Sequence, residues 1–330
     1  MTISLSFACP PYDRILPLAH GRVSAEGIRL NYLSLEVEEV FWRQLRNREF
    51  DLSESSLSSY VMLRSRGDER FIAIPVFTSR FFRHACVFVN THKGIRAPQD
   101  LKGKIVGLPE YQITAVVWLR GIFQDEYGVF PRDIHWRSGG EETPGRVEKI
   151  KIHLPSDVDL QPIPADKYLS QMLDDGELDA LFTARAPSCF MNGSANVARL
   201  FGNFREVEEQ YYKKTGIFPI MHTVIMRRDI YEKNPWIAKN LYKAFCEAKD
   251  IATTSYDDTA ALHVTLPWLT AEVERTKEVL GEDWWPYGIV KNRKILETFL
   301  RYHHEQGLSE KLMTIEELFA PETLDDEFKI

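Results

Sequence analysis

Alternation of apolar and polar residues marks the first elements of the chain. Residues 2–9 alternate and are stopped by Pro10-Pro11-Tyr12-Asp13. The pattern returns after Gly27 in Ile28-Arg-Leu-Asn-Tyr-Leu-Ser-Leu35. Both runs predict strands. Residues 14–19 predict a short helix, and residues 38–46 a longer one with Val40, Phe41 and Leu45 on one face. Phe50-Asp-Leu52 predicts a brief strand. The serine-rich run Ser53-Glu-Ser-Ser-Leu-Ser-Ser59 follows, where a strand hands over to a helix and a serine can cap it. Residues 71–77 and 84–90 read as apolar strands. Short strands alternating with helices predict an α/β layer fold.

The pattern repeats further along. Pro98 and Asp100 start a helical turn that Gly103 ends, and residues 104–108 predict a strand. A long helix is expected from Glu110 to about Tyr127. A strand is expected over 133–136, a polar loop over 139–152 and a strand over 158–163. Then come a helix over 168–173 and the turn and strand Gly176-Glu-Leu-Asp-Ala-Leu-Phe182. Beyond residue 197 the character changes. Residues 204–212 are helical in pattern and 222–226 form one more strand. After that only helices are expected, over 235–253, 269–280, 293–306 and 316–319. Pro235 suits a first helical turn, where its missing N–H costs little.

Composition narrows the function classes. The 330 residues are 44% hydrophobic and 27% charged, ordinary globular values, and the length suits two domains. Forty-one basic against 48 acidic side chains leave a net charge of −7. With a pI near 5.8 this argues against a protein that coats nucleic acid or an anionic membrane. Cys9, Cys86, Cys189 and Cys246 are far apart and read as unpaired thiols, with Cys86 and Cys246 as small buried hydrophobes. The start Met-Thr-Ile-Ser-Leu-Ser-Phe lacks the pattern of a signal peptide, and no run of about 18 apolar residues occurs. The expected location is the cytoplasm. No GxxxxGK[ST], GxGxxG or GxSxG string is present. His20, His92, His135, His153 and His263 show no metal-binding spacing, so no metal site is expected.

Three strings then carry a resemblance. Ala97-Pro-Gln-Asp-Leu-Lys-Gly-Lys-Ile-Val-Gly107, Gly176-Glu-Leu-Asp-Ala180 and Phe218-Pro-Ile, in this order of elements, resemble the type II periplasmic-binding-protein fold. More narrowly, Pro75-Val-Phe-Thr-Ser-Arg-Phe-Phe-Arg-His84, Gly107-Leu-Pro-Glu-Tyr-Gln-Ile-Thr-Ala115, Val117-Trp-Leu-Arg-Gly121 and Tyr127-Gly-Val are similar to the 4,5-dihydroxyphthalate decarboxylase family. The similarity covers nearly the whole chain. It implies a two-lobed α/β protein with a ligand cleft between lobes and a helical C-terminal tail. Residues 1–89 and 200–330 would form one lobe and residues 90–199 the other. It also implies a carboxy-lyase that needs no cofactor and converts 4,5-dihydroxyphthalate to protocatechuate and carbon dioxide, in aromatic (phthalate) catabolism.

Within that frame the candidate residues are few. Arg14 follows the first strand, where a guanidinium can hold a carboxylate by two parallel bonds; the alternative is an ion pair with Asp13. Ser53, Ser55 and Ser56 could donate to a ligand carboxylate or cap the next helix, and Glu54 could meet a phenolic hydroxyl or be solvated. Arg80, Arg83 and His84 crowd together without acidic neighbours, which is costly unless an anion arrives. Glu110, Tyr111 and Thr114 open the long helix, whose N-terminus attracts anions; dipole matching and packing are the alternative. Trp118 reads as core and Arg120 as structural. Arg185, after the Leu178-Asp-Ala-Leu-Phe182 strand, could be a second carboxylate clamp or a salt-bridge partner. His222 begins the return strand and reads equally as core or as site, and His303 and His304 read as surface.

The implied chemistry sorts these residues into roles. Each carboxylate of the substrate has a hydroxyl para to it. Removing that phenolic proton pushes electron density onto the carbon that bears the carboxylate; protonating that carbon then expels carbon dioxide. Glu110 or His222 could be the base, and His84 is the expected acid, because histidine titrates near neutrality. The reverse assignment stays open. Arg14, Arg80, Arg83 and Arg185 are expected to hold the retained carboxylate, helped by Ser55, Tyr111 and Thr114. The partner is a small aromatic dicarboxylate, with neither nucleic acid nor membrane. The rival is a non-catalytic solute-binding protein for an aromatic carboxylate, against which the missing leader argues. Trp268, Trp284, Trp285 and Tyr287 fit either a homo-oligomer interface or an intramolecular core.

Overall fold

A computed structural model describes residues 2–325. Eleven strands occur among them: β1 (Ile3–Cys9), β2 (Ile28–Ser34), β3 (Leu52–Ser56), β4 (Phe71–Arg80), β5 (Val87–Asn90), β6 (Ile105–Leu108), β7 (His135–Ser138), β8 (Leu160–Pro162), β9 (Ala180–Phe182), β10 (Val197–Arg199) and β11 (Ile220–Arg227). They form two sheets, and the chain divides into two units around them.

The first unit holds the residues up to Arg80, Ile220–Glu297, and those from Thr314 onward. Its sheet runs β2-β1-β3-β11-β4. β1 is parallel to β2 and β3, while β11 is antiparallel to β3 and β4. The helix Val37–Asn47 buries Val40, Phe41 and Gln44, one face at helical spacing. Phe41 packs with Ala8, Val40 and Phe50. The Gln44 amide closes the next turn from inside, donating to the Phe50 carbonyl and accepting from the Phe50 N–H, both at 3.0 Å. That clasp delivers the chain into β3.

The second unit holds Phe81–Pro219 and Thr298–Met313. It begins earlier and ends later than the span 90–199 read from the sequence, and it takes a piece of the tail. Its sheet runs β10-β5-β9-β6-β7-β8. β9, β6, β7 and β8 are parallel neighbours, and β5 pairs antiparallel with β9 and β10. Phe88, Leu169, Leu173, Leu178, Leu181 and Val197 fill its core. The helix Thr114–Tyr127 is buried along most of its length because Gly121 admits Tyr302; a Cβ there would lie 2.1 Å from that ring.

Several elements differ from expectation. β3 is the serine run itself rather than residues 50–52, and every one of its residues is buried. Only Ser56 acts as a cap, accepting from the Ser59 N–H at 3.3 Å. The long helix starts at Thr114, so Glu110 and Tyr111 lie in the turn before it. His84–Cys86 forms a 3-10 turn ahead of β5. Residues 316–319 are not a helix. Leu318 and Ala320 bond to both sides of Ala73, at 3.2 and 2.9 Å, as a short bridge beside β4. His303 is fully buried rather than on the surface, and Cys246 is only half-buried. Trp268 is exposed, whereas Tyr287 is buried.

Candidate active site

In the first unit several candidate side chains collect near the ends of β1, β3 and β4. β11 pairs with β3 so that Val224 faces Glu54 and His222 faces Ser56. Glu54 and His222 therefore share one face of the sheet, two positions apart. The pairing of β11 with β4 shifts register on either side of His222. Such irregularities re-aim a side chain. His222 Nδ1 lies 2.9 Å from Glu54 Oε1. The same oxygen accepts from Thr78 Oγ1 at 2.7 Å, and Oε2 accepts from the Tyr12 hydroxyl at 3.2 Å. Glu54 is completely buried, while the His222 side chain keeps 18% exposure. Phe41 meets the imidazole edge-on, with ring centroids 5.0 Å apart. Burial, and then the Glu54 charge, push the Tyr12 hydroxyl and the Cys9 thiol well up, so both stay protonated.

Arg14 stands beside this cluster. Its guanidinium lies between the rings of Tyr12 and Trp285, 4.2 and 4.5 Å from their centroids. Nε donates to the Thr78 carbonyl at 2.7 Å, Nη2 donates to the same oxygen, and Nη1 donates to Asp13 at 2.9 Å. Arg14 is thus paired with Asp13, the alternative reading of this residue, and its plane is fixed. Arg80 is buried and donates to Pro286 and Asn292, tying β4 to the segment beyond it. Ser55 is buried, and its hydroxyl has no hydrogen-bond partner among the described residues.

In the second unit the expected acid has the wrong surroundings. His84 is 1% exposed, packed between Phe201 and Tyr211, and neither ring nitrogen has a hydrogen-bond partner among the described residues. Burial pushes its pKa down to about 4. The ring is neutral at pH 7, the opposite of what a proton donor needs. Glu208, whose Oε1 lies 3.9 Å from His84 Nδ1, is pushed up by burial to about 7. Arg83 is buried and donates to the Ala184 carbonyl at 3.2 Å.

Glu110 is equally unsuited to be the base. It is buried, with Arg146 at 2.7 Å and Lys149 at 2.5 Å, and it accepts from the Lys149 N–H at 3.0 Å. Its lone pairs fasten the 139–152 loop to the turn before the long helix. Tyr111 is buried beneath Arg120, 3.6 Å from its ring, and Arg120 donates to the Tyr111 carbonyl and to Gln306. Thr114 is buried as the first helical residue, and Arg185 is exposed just after β9.

One carboxyl of this unit was not expected. Glu141 follows β7 and accepts from Thr183 Oγ1 at 2.7 Å, where Thr183 closes β9. Its Oε1 is buried with no hydrogen-bond partner among the described residues, and burial pushes the group up to about 7. Gly140 is required beside it, because a Cβ there would sit 1.7 Å from the Thr143 carbonyl.

Comparison with known proteins settles the family. The chain is 41% identical over 328 residues to the 4,5-dihydroxyphthalate decarboxylase of Comamonas testosteroni, covering 99% of each. The chain belongs to the 4,5-dihydroxyphthalate decarboxylase family. A second member, from Pseudomonas putida, is 41% identical over 211 residues, 64% of this chain and 82% of that one. No family model matches the chain. The fold of the family member described here is that of periplasmic binding proteins. The periplasmic aliphatic sulphonate binding protein of Escherichia coli matches with a TM-score of 0.55 at 14% identity, over 100% of this chain and 95% of that one. The periplasmic sulfonate-binding protein of Methylobacillus flagellatus matches with 0.55 at 12%, over 97% and 92%. Both the fold and the family are those implied by the strings at 75–84, 97–107 and 107–121.

The Glu54–His222 pair presents a partly exposed imidazole whose inner nitrogen faces a buried carboxylate. Glu54, Thr78 and Tyr12 are the members of this cluster that motif reading did not assemble. Among the described residues no group of three or more His, Cys, Asp or Glu side chains is arranged to hold a metal ion. No described helix is long and apolar enough to cross a membrane.

Proposed function

We propose that this protein removes one carboxyl group from 4,5-dihydroxyphthalate, giving protocatechuate and carbon dioxide. The observation that carries the reading is the 41% identity to a 4,5-dihydroxyphthalate decarboxylase along 99% of both chains. The cluster in the first unit suits that chemistry. His222, free at its outer nitrogen, takes the proton of one ring hydroxyl. Electron density then moves to the para carbon, which carries a carboxylate. A proton delivered to that carbon makes it tetrahedral. Its bond to the carboxylate breaks, the electron pair returns to the ring as phenolate, and carbon dioxide leaves. His222 gives its proton back to the phenolate oxygen. The ring is its own electron relay, so no organic cofactor enters these steps.

The proton for carbon must come from a group that holds one near neutral pH. His84, pushed down to about 4 by burial, fails that condition. Arg14, rigid between two rings, has guanidinium N–H groups beyond those given to Thr78 and Asp13 and suits the retained carboxylate. Tight pairing belongs on that carboxylate rather than on the departing one, because stabilising the latter in the ground state would oppose its loss. Release of carbon dioxide from 4,5-dihydroxyphthalate by the purified protein tests the reading. Binding without release would replace it by the solute-binding alternative.

A further inference from the structure

We infer that Glu54, held by Thr78 and Tyr12, fixes the proton of resting His222 on Nδ1 and so is the positioning residue for the proton transfer proposed above. The inference rests on that reading for its catalytic consequence, but its structural half stands by itself. Glu54 touches no solvent, and a buried carboxylate is costly unless its lone pairs are used. Three donors surround it: Thr78 Oγ1 at 2.7 Å, His222 Nδ1 at 2.9 Å and the Tyr12 hydroxyl at 3.2 Å. His222 is its only ion-pair partner among the described residues.

An ionised carboxylate only accepts, so the nitrogen facing it must carry the hydrogen. The other nitrogen, Nε2, is then left with its lone pair. Phe41 holds the ring plane from one side, and the irregular pairing of β11 around His222 sets where the ring points. When Nε2 takes a phenolic proton the ring becomes a cation beside an anion already in place, so the charge formed is compensated without rearrangement. Glu54 is too deep to meet the substrate, and its whole effect passes through His222. A ring whose reactive oxygen is methylated would offer Nε2 no proton and would not turn over.

Nitrogen-15 spectra of the intact protein with labelled histidine decide the structural half without any variant. In resting wild type, His222 should show a protonated Nδ1 and an unprotonated Nε2. A hydrogen found on Nε2 overturns the inference. The catalytic half is read from Glu54→Gln and Glu54→Asp. Glu54→Gln should lower kcat by about a hundredfold or more with KM changed less than about threefold, because an amide can no longer impose the tautomer. Glu54→Asp, keeping the charge, should recover a large part of kcat. Full kcat in Glu54→Gln, or no recovery in Glu54→Asp, overturns it. Failure of wild type to release carbon dioxide would sink the functional reading instead and leave the tautomer result standing.

Discussion

His222 and Glu54 are 168 residues apart in the chain, yet Nδ1 of one lies 2.9 Å from Oε1 of the other. His135 also lies 2.8 Å from a carboxylate, that of Asp159, but there both side chains are open to solvent, whereas the Glu54 side chain beside His222 is completely buried. His222→Asn removes the outer nitrogen while keeping a small polar side chain in the strand. It should lower kcat by about 10²- to 10⁴-fold, the usual worth of a general base, with little change in KM. Steady-state assay of carbon dioxide release checks this. A variant with near-normal kcat would free His222 from the role.

Arg14 is held by stacking as well as by hydrogen bonds, so its replacement by lysine is not conservative. Arg14→Lys should raise KM by about tenfold or more, consistent with a lost bidentate hold of roughly 1.5–3 kcal/mol. It should weaken inhibition by phthalate, which has the carboxylates alone. It should leave inhibition by catechol, which has the hydroxyls alone, nearly unchanged. Equal weakening of both inhibitors would mean that Arg14 does not hold a carboxylate.

Glu110 offers a contrast between a structural and a chemical acid residue. Its carboxylate is buried against Arg146 and Lys149. Removing one member of a buried ion pair costs about 3–5 kcal/mol, because the remaining charge is left without a partner. Glu110→Gln should therefore lower the thermal midpoint by several degrees. Lost kcat at unchanged Tm would instead return Glu110 to the role of base.

His84 predicts a pH dependence of stability. Its folded pKa of about 4 lies below the ordinary 6.5, so the unfolded chain binds the extra proton between those values. Stability is then fully present above about 6.5 and falls as pH drops toward 4, by about 3 kcal/mol for this group. Glu208 works in the opposite sense: raised to about 7, it costs stability as pH rises from about 4.5 to 7. The difference between wild type and His84→Phe isolates the histidine. Urea unfolding should show His84→Phe gaining on wild type as pH falls from 7 to 5. A constant difference would mean that His84 is not held neutral by burial.

The alternating strands and the family strings were open to reading because they are local: β1 and β2 repeat every two residues, and 75–84 and 107–115 are continuous. β3 escaped because its residues are small and polar, yet it runs through the middle of a sheet and is buried on both faces. Arg80 and Glu110 look unpaired in sequence only because their partners are remote: Asn292 lies 212 residues from Arg80, and Lys149 lies 39 from Glu110. The Glu54–His222 contact needs two strand registers and an irregularity in one of them, none of which is written in a local pattern. Desolvation of His84 and Glu141 is likewise a property of the packed unit, visible only once Phe201, Tyr211 and Thr183 are in place.

The most direct test is turnover of 4,5-dihydroxyphthalate in deuterium oxide, followed by carbon dioxide release and by proton spectra of the product. Protonation of the carbon before loss of carbon dioxide predicts one carbon dioxide per substrate. It also predicts protocatechuate carrying a single deuterium at C6, the ring position that lost its carboxylate. Stoichiometric binding with no carbon dioxide, or product without deuterium at C6, would contradict the account.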